Sequence, residues 1–291
     1  MCRPPLPLLL LALIGCTPAA PTSPRQAPEF TTHAPLLEIE PTPLGGAISI
    51  ANGNGSRADW DLVITETVSL RERDQTLNAQ LERSVRVQGI QDATGHIALK
   101  LTEAVVTTHP SNPSWIEQQS ELMNGLMISM KRTEDAVTIE LPEDLSPTIA
   151  PHMRAIGLAL LLLIPPALPA EVSPDSSWTL DARSLATTKR TLLPLGTTPC
   201  GDEKCVLLAS TLALSETVET SSNSARVSAK GNGRGQAIVS LSVTRGIPVS
   251  GRMNYSIATS MTARGETAQA STLTQNKHVE VTMRAHEDPS R

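Results

Sequence analysis

The run Met153-Arg-Ala-Ile-Gly-Leu-Ala-Leu-Leu-Leu-Leu-Ile164, closed by Pro165-Pro166, decides how the rest of the chain must fold. It carries no charge after Arg154 and is apolar all round, so as a helix it has no face to offer water. Ser146-Pro147 supplies a start signal, with Pro151 able to delay the first regular turn. Roughly ten apolar residues between proline breaks are too few to span a bilayer, which takes about 20. Burying the large aliphatic side chains of the run is worth on the order of 10–15 kcal/mol, as an upper bound. Such a helix belongs inside the protein, most economically in the concavity of a strongly curved sheet.

Outward from this run the chain alternates with a period of two. Trp60, Leu62, Ile64, Glu66, Val68 and Leu70 share one face, with Asp61, Thr65, Thr67 and Ser69 opposite. Ile97, Leu99, Leu101 and Val105 repeat the pattern, as do Val137, Ile139 and Leu141. Trp178, Leu180 and Ala182 open a second set, followed by Val206 to Val218. Ile247, Val249, Gly251, Met253, Tyr255 and Ile257 face one way in the clearest hairpin, whose partner carries Val239, Leu241 and Val243. Thr244-Arg245-Gly246 lies at its turn. These patterns predict antiparallel strands buried on one face. The expected fold is mainly β, an open half-barrel of about ten or eleven strands wrapped around one apolar helix. The body covers residues 45–285, as a meander at 45–141, the helix at 146–164 and a meander at 177–285, with a tail at 286–291.

Residues 227–239 bring Gly231, Gly233 and Gly235 onto one strand face. Glycine inside a strand marks a bend or a close approach. The expected neighbour is the apolar helix, through Ile156, Leu160 and Leu163, or an apolar ligand sharing its cavity. The Gly-Asn-Gly-Arg-Gly wording follows no strand-to-helix turn and fits neither phosphate-loop pattern.

The front of the chain is different in kind. Ten of the 23 prolines lie in the first 43 residues. Arg3 provides a positive start and Leu6 to Ile14 an apolar stretch suited to a signal peptide at 1–15. Leu13-Ile14-Gly15-Cys16 resembles the lipobox of bacterial lipoproteins, which implies cleavage before Cys16 and its lipidation with several acyl chains, palmitate included. Several acyl chains give stable anchoring where one is marginal. Thr17 in place of Asp favours the outer membrane of a bacterial cell envelope, facing the periplasm or the surface. Residues 16–44 then read as a Pro-rich tether. Of the four cysteines, Cys200 and Cys205 remain, and in an oxidising envelope they read as a disulfide clamping a turn. A redox pair or half a metal site fits less well, since four residues intervene and no second pair completes a zinc site.

Composition removes several functions. With 24 basic against 29 acidic residues and only Phe30, Tyr255, Trp60, Trp115 and Trp178 as aromatics, stacking platforms for nucleic acid or sugars are not expected. The six histidines form no metal-ligand spacing, and no Gly-x-Ser-x-Gly elbow is present. No enzyme activity, cofactor or metal is expected. Glu66, alone on an apolar strand face, reads as a paired core acid, an edge residue or a ligand-orienting group. Met123, Met127 and Met130 read as core filling or as cavity lining.

Three features together resemble a group of uncharacterised bacterial lipoproteins with an open half-barrel. They are the Pro-bounded apolar helix, the Pro-Asp-Ser-Ser-Trp entry at 174–178, and the Gly-rich strand with its late hairpin. The architecture is similar to that of lipoprotein localisation factors and mycobacterial lipid-carrier lipoproteins. The likeness covers about residues 45–285, with Ser standing where the usual Gly-Asp-Ser-Trp wording has Gly, and it brings no catalytic residue. It implies a concave face that holds acyl chains, with the helix as plug or lid. The expected function is a membrane-anchored lipoprotein binding a lipid or other apolar small molecule. The alternative is a structural or protein-interaction lipoprotein whose helix fills the concavity.

Overall fold

The structure, a computed structural model, describes residues 40–72, 75–109, 113–182, 185–221, 225–265 and 271–286. The expected signal peptide, Cys16 and most of the expected tether lie outside the described residues. In chain order the strands are β1 (Ile48–Ser49), β2 (Arg57–Glu72), β3 (Gln75–Ile90) and β4 (His96–His109). Helix α1 (Pro113–Met123) precedes β5 (Met127–Arg132) and β6 (Val137–Glu140), and helix α2 (Ala150–Leu163) precedes β7 (Glu171–Val172) and β8 (Trp178–Ala182). Then come β9 (Thr187–Cys200), β10 (Glu203–Ser221), β11 (Ala225–Ser242), β12 (Pro248–Gly265) and β13 (Ser271–Ala285).

Eleven strands form one antiparallel sheet in the order β6-β5-β4-β3-β2-β13-β12-β11-β10-β9-β8. Both meanders therefore share a sheet, sewn together where the last strand pairs with the first long one, Glu66 opposite Val279 and Ile64 opposite Val281. Alternation places Trp60, Leu62, Ile64, Val85, Val87, Val279, Val281 and Met283 in a single core with α2. The sheet curls until it is nearly closed into a barrel. One position on α2 shows the closure. A Cβ at Gly157 would meet Leu185, from the β8–β9 connection, and also Leu141 and Ile139, from the β6 edge. The two margins of the sheet thus converge on one turn of the helix.

Helix α2 begins at Ala150, with Pro151 in its first turn, and ends as Ile164 N–H donates to the Leu160 carbonyl before Pro165. Ile156, Leu160 and Leu163 are fully buried, as are Met153 and Leu162. Helix α1 has another task. Only the first part of β4, His96 to Lys100, pairs with β5, and α1 lies along the remainder. Ser120 Oγ accepts from Val106 N–H at 3.0 Å and Asn124 Oδ1 from Ala104 N–H at 2.8 Å, satisfying donors that a bare strand edge would leave open.

One strand departs from its sequence pattern. Glu103 takes φ +52° beside a break in the β3–β4 register between Ser84 and Arg86. The extra residue of this bulge reverses the alternation. Ala104 and Val106 turn inward, and Val105, expected to continue the apolar face of Leu101, stands 51% exposed.

At the end where β9 meets β10, Cys200 and Cys205 form a disulfide across a tight turn. Residues 42–49 close the same end, with Thr42 bridging to Thr197 and β1 pairing with β7. At the opposite end Glu72 meets Gln75 and Ser221 meets Arg226.

Candidate functional site

The concave face is divided by a belt of polar side chains. Arg83 on β3 is buried, its Nη1 donating to Glu66 Oε2 at 2.8 Å and its Nε to His152 Nδ1 at 2.9 Å. An arginine can only donate, so His152 Nδ1 is the acceptor and its Nε2–H donates to Gln119 Oε1 at 2.8 Å. Burial, and then the neighbouring Arg83 charge, push the His152 pKa down to about 4, with Glu66 pulling the other way, so the ring stays neutral. Burial acts to raise Glu66, but the charges of Arg83 and Lys277 and the Arg83 hydrogen bond overcome it and hold the carboxyl below its ordinary value. Glu66 is the paired core acid among the three readings open in the sequence.

Lys277 continues the belt. It faces Ile257 across β13–β12, and Ile257 faces Gly233 across β12–β11. Its Nζ nevertheless lies 3.9 Å from Glu216 Oε1 on β10. The pair thus forms a chord over the intervening strands, above a glycine row that puts up no side chains.

The glycines themselves meet other neighbours than expected. A Cβ at Gly231 would meet Thr259 and Ile257, one at Gly233 would meet Ile257, and one at Gly235 would meet Tyr255 and the Asn254 carbonyl. Side chains of β12 lean over the stripe. The glycine close to α2 is Gly251, where a Cβ would lie 3.2 Å from Leu163 Cδ2.

On one side of the belt lies the core filled by α2. On the other, the same face continues with Val68, Leu70, Ala79, Ala229, Met261 and Leu273, half-buried, and with Leu77, 54% exposed. Leu70 pairs with Leu77, Val68 with Ala79, and Met261 with both Leu273 and Ala229, so these residues form one aliphatic floor. Of the methionines singled out in the sequence, Met123 and Met130 are core, while Met127 is exposed.

Two buried arginines hold the C-terminal end of α2. Arg190 Nη1 donates to the Leu161 and Ile164 carbonyls at 3.1 and 2.9 Å. Arg132 donates from Nε to the Pro165 carbonyl, from Nη2 to that of Pro166, and from Nη1 to Gln91 Oε1 and the Gly246 carbonyl. Both favour the negative end of the helix dipole, and burial lowers both pKa values to about 10 without discharging them. Beside Arg132 lies a cavity of about 250 Å³ lined by Ile50, Asn52, Leu168, Ala170 and Leu241 among others. Neither arginine stands out in the sequence, because each occupies a strand position whose neighbours read as ordinary alternation.

On the convex face Ser256 Oγ lies 3.0 Å from His278 Nδ1, and His278 Nε2 lies 3.2 Å from Glu280 Oε1. The trio has the constituents of a nucleophile–base–acid relay. It sits in mid-ladder between paired strands, where backbone N–H groups are committed to the sheet and none is aimed at an oxyanion. Among the described residues no group of three His, Cys, Asp or Glu side chains could hold a metal ion.

No protein-family model matches the chain, and no curated protein matches it in sequence. Among solved structures the chain is similar to lipovitellin, in a structure concerned with its lipid–protein interactions, at 9% identity and a TM-score of 0.41. The match covers 82% of this chain and 26% of the lipovitellin chain.

Proposed function

We propose that the protein is a lipid-anchored protein of a bacterial envelope that holds an acyl chain or similar aliphatic molecule in the concave face of its sheet. The observation that carries this reading is the aliphatic floor of Val68, Leu70, Leu77, Met261 and Leu273, which continues the core face past the polar belt and past the reach of the helix. The 19 residues of β10 extend about 60 Å at ~3.3 Å per residue, whereas the 14 residues of α2 cover about 21 Å. An aliphatic floor with no aromatic rings suits flexible hydrocarbon better than planar ligands. The anchor rests on the Leu13-Ile14-Gly15-Cys16 wording.

Detergent-free protein examined by native mass spectrometry, then extracted with organic solvent, is expected to yield bound lipid and to bind a fluorescent fatty acid. Recovery of no lipid together with no probe binding overturns the ligand reading. Cys16→Ser is expected to release the protein from the membrane fraction, and its retention there sinks the anchor. The complete burial of Ile156, Leu160 and Leu163 favours a second reading, an interaction protein whose concavity is plugged, and that reading takes over if no ligand is found.

A further inference from the structure

Among the described residues, three buried side-chain polar atoms have no hydrogen-bond partner: Arg190 Nε, Arg190 Nη2 and Ser210 Oγ. They fall in one place. Arg190 on β9 is opposite Leu212 on β10, and Ser210, opposite Leu192, is the next residue along β10 on the same face. Same-face diagonal neighbours of this kind have side chains within reach of one group, at a Cα separation of about 7–8 Å.

The two guanidinium atoms are not a random pair. Nη1 is already committed to the carbonyls at the end of α2. Nε–H and the Nη2–H beside it form the other edge of the plane, the parallel two-pronged donor that matches a carboxylate. Arg190 is 3% exposed and Ser210 6% exposed, so solvent reaches neither freely. Leaving such donors unmet carries a desolvation cost, larger for a charged group than for a neutral one. The surroundings are mainly aliphatic, with Leu161, Leu180, Leu192 and Leu212 in the adjoining core and with Thr188 and Trp178 on the same face.

We infer that Arg190 and Ser210 form a binding site for the carboxylate of an aliphatic acid, Arg190 Nε and Nη2 donating to its two oxygens and the Ser210 hydroxyl to one of them. The inference rests on the acyl-chain reading above and names the head group that reading leaves open. A neutral head cannot accept the fork with two oxygens or compensate its charge. The same guanidinium caps α2, so a bound head group and the end of the helix are tied to one side chain.

The test uses the intact chain, stripped of lipid, with three probes: palmitate, 1-hexadecanol and acetate. Binding is read by calorimetry and by the rise in melting temperature that accompanies binding to the folded state. Palmitate is expected to bind at least tenfold more tightly than hexadecanol. Ser210→Ala is expected to weaken palmitate about tenfold, one charge-assisted hydrogen bond, and to leave hexadecanol unchanged. Arg190→Lys, which keeps a charge but loses the fork, is expected to erase the preference for the acid. Should that variant fail to fold, Ser210→Ala still decides, because removal of an unpartnered hydroxyl leaves the free protein no less stable. Equal binding of palmitate and hexadecanol, both indifferent to Ser210→Ala, overturns the head-group site while the acyl-chain reading stands. Acetate binding that depends on Ser210, without any palmitate binding, keeps the anion site and overturns the acyl-chain reading. Binding of none of the three probes overturns both.

Discussion

His152 is neutral where a histidine in water would be half charged near pH 6.5, and that difference is paid in acid. The unfolded chain takes up a proton as pH falls through 6.5, whereas the folded chain resists until about 4. Stability is therefore full above pH 6.5 and declines below it, by ~3 kcal/mol from this group once pH 4 is reached. Glu66, held below its ordinary value, acts in the same direction at lower pH. Urea midpoints measured at pH 7, 5.5 and 4 are expected to fall steadily, and His152→Gln is expected to flatten the slope between pH 6.5 and 4. Arg83→Met leaves Glu66 buried without its partner and is expected to cost about 3–5 kcal/mol in the same assay at pH 7. Glu66 was legible in the sequence as a break in an apolar face. Its partners were not, because Arg83 and His152 come from another strand and from the first turn of α2, and only long-range register brings them together.

At the level of elements, Gly157 and Gly246 differ in what crowds them. A Cβ at Gly157 would meet only the tips of Leu185, Leu141 and Ile139, which can rotate aside. Gly157→Ala is thus expected to be near neutral, a gain of about 1 kcal/mol in helix propensity offsetting the repacking. Gly157→Val is expected to cost about 1–3 kcal/mol by overpacking, with Leu185→Ala restoring part of it in a double-mutant cycle. Gly246, by contrast, has φ +65° and would drive a Cβ into the Ala51 carbonyl and the Gly53 nitrogen, backbone atoms that cannot step aside. Gly246→Ala is expected to lose at least 1–3 kcal/mol, about the cost of the backbone conformation alone. Helix α2 was readable because it is apolar on every side and fenced by prolines. Helix α1 was not, since its role is to bring Ser120, and Asn124 in the turn after it, to the exposed margin of β4, a task without an apolar period. The bulge at Glu103 was equally hidden: a one-residue insertion leaves the composition of a strand unchanged while exchanging Val105 for Ala104 and Val106.

For the whole molecule the seam between β2 and β13 is decisive. Each half of the chain builds a meander that alternation predicts, but nothing local states that the halves join, because the joining strands stand at opposite ends of the fold's sequence. Truncation after residue 270 removes β13 and is expected to abolish cooperative unfolding in denaturant, since both halves of the core are lined by that strand. A mechanical consequence follows from the same pairing. Strand β2 starts, and β13 finishes, at the same end of the ladder, with Trp60 opposite Ala285. Tension applied between the two chain ends first parts the Thr42–Thr197 bridge, the short β1–β7 pair and the bond from His286 N–H to the Asp59 carbonyl, and then loads Trp60–Ala285, Asp61–Arg284 and Leu62–Met283, one rung after another as a zipper opens. A barrel fastened this way resists heat and denaturant through its entire core, yet under an optical trap it is expected to part along this one line at low force.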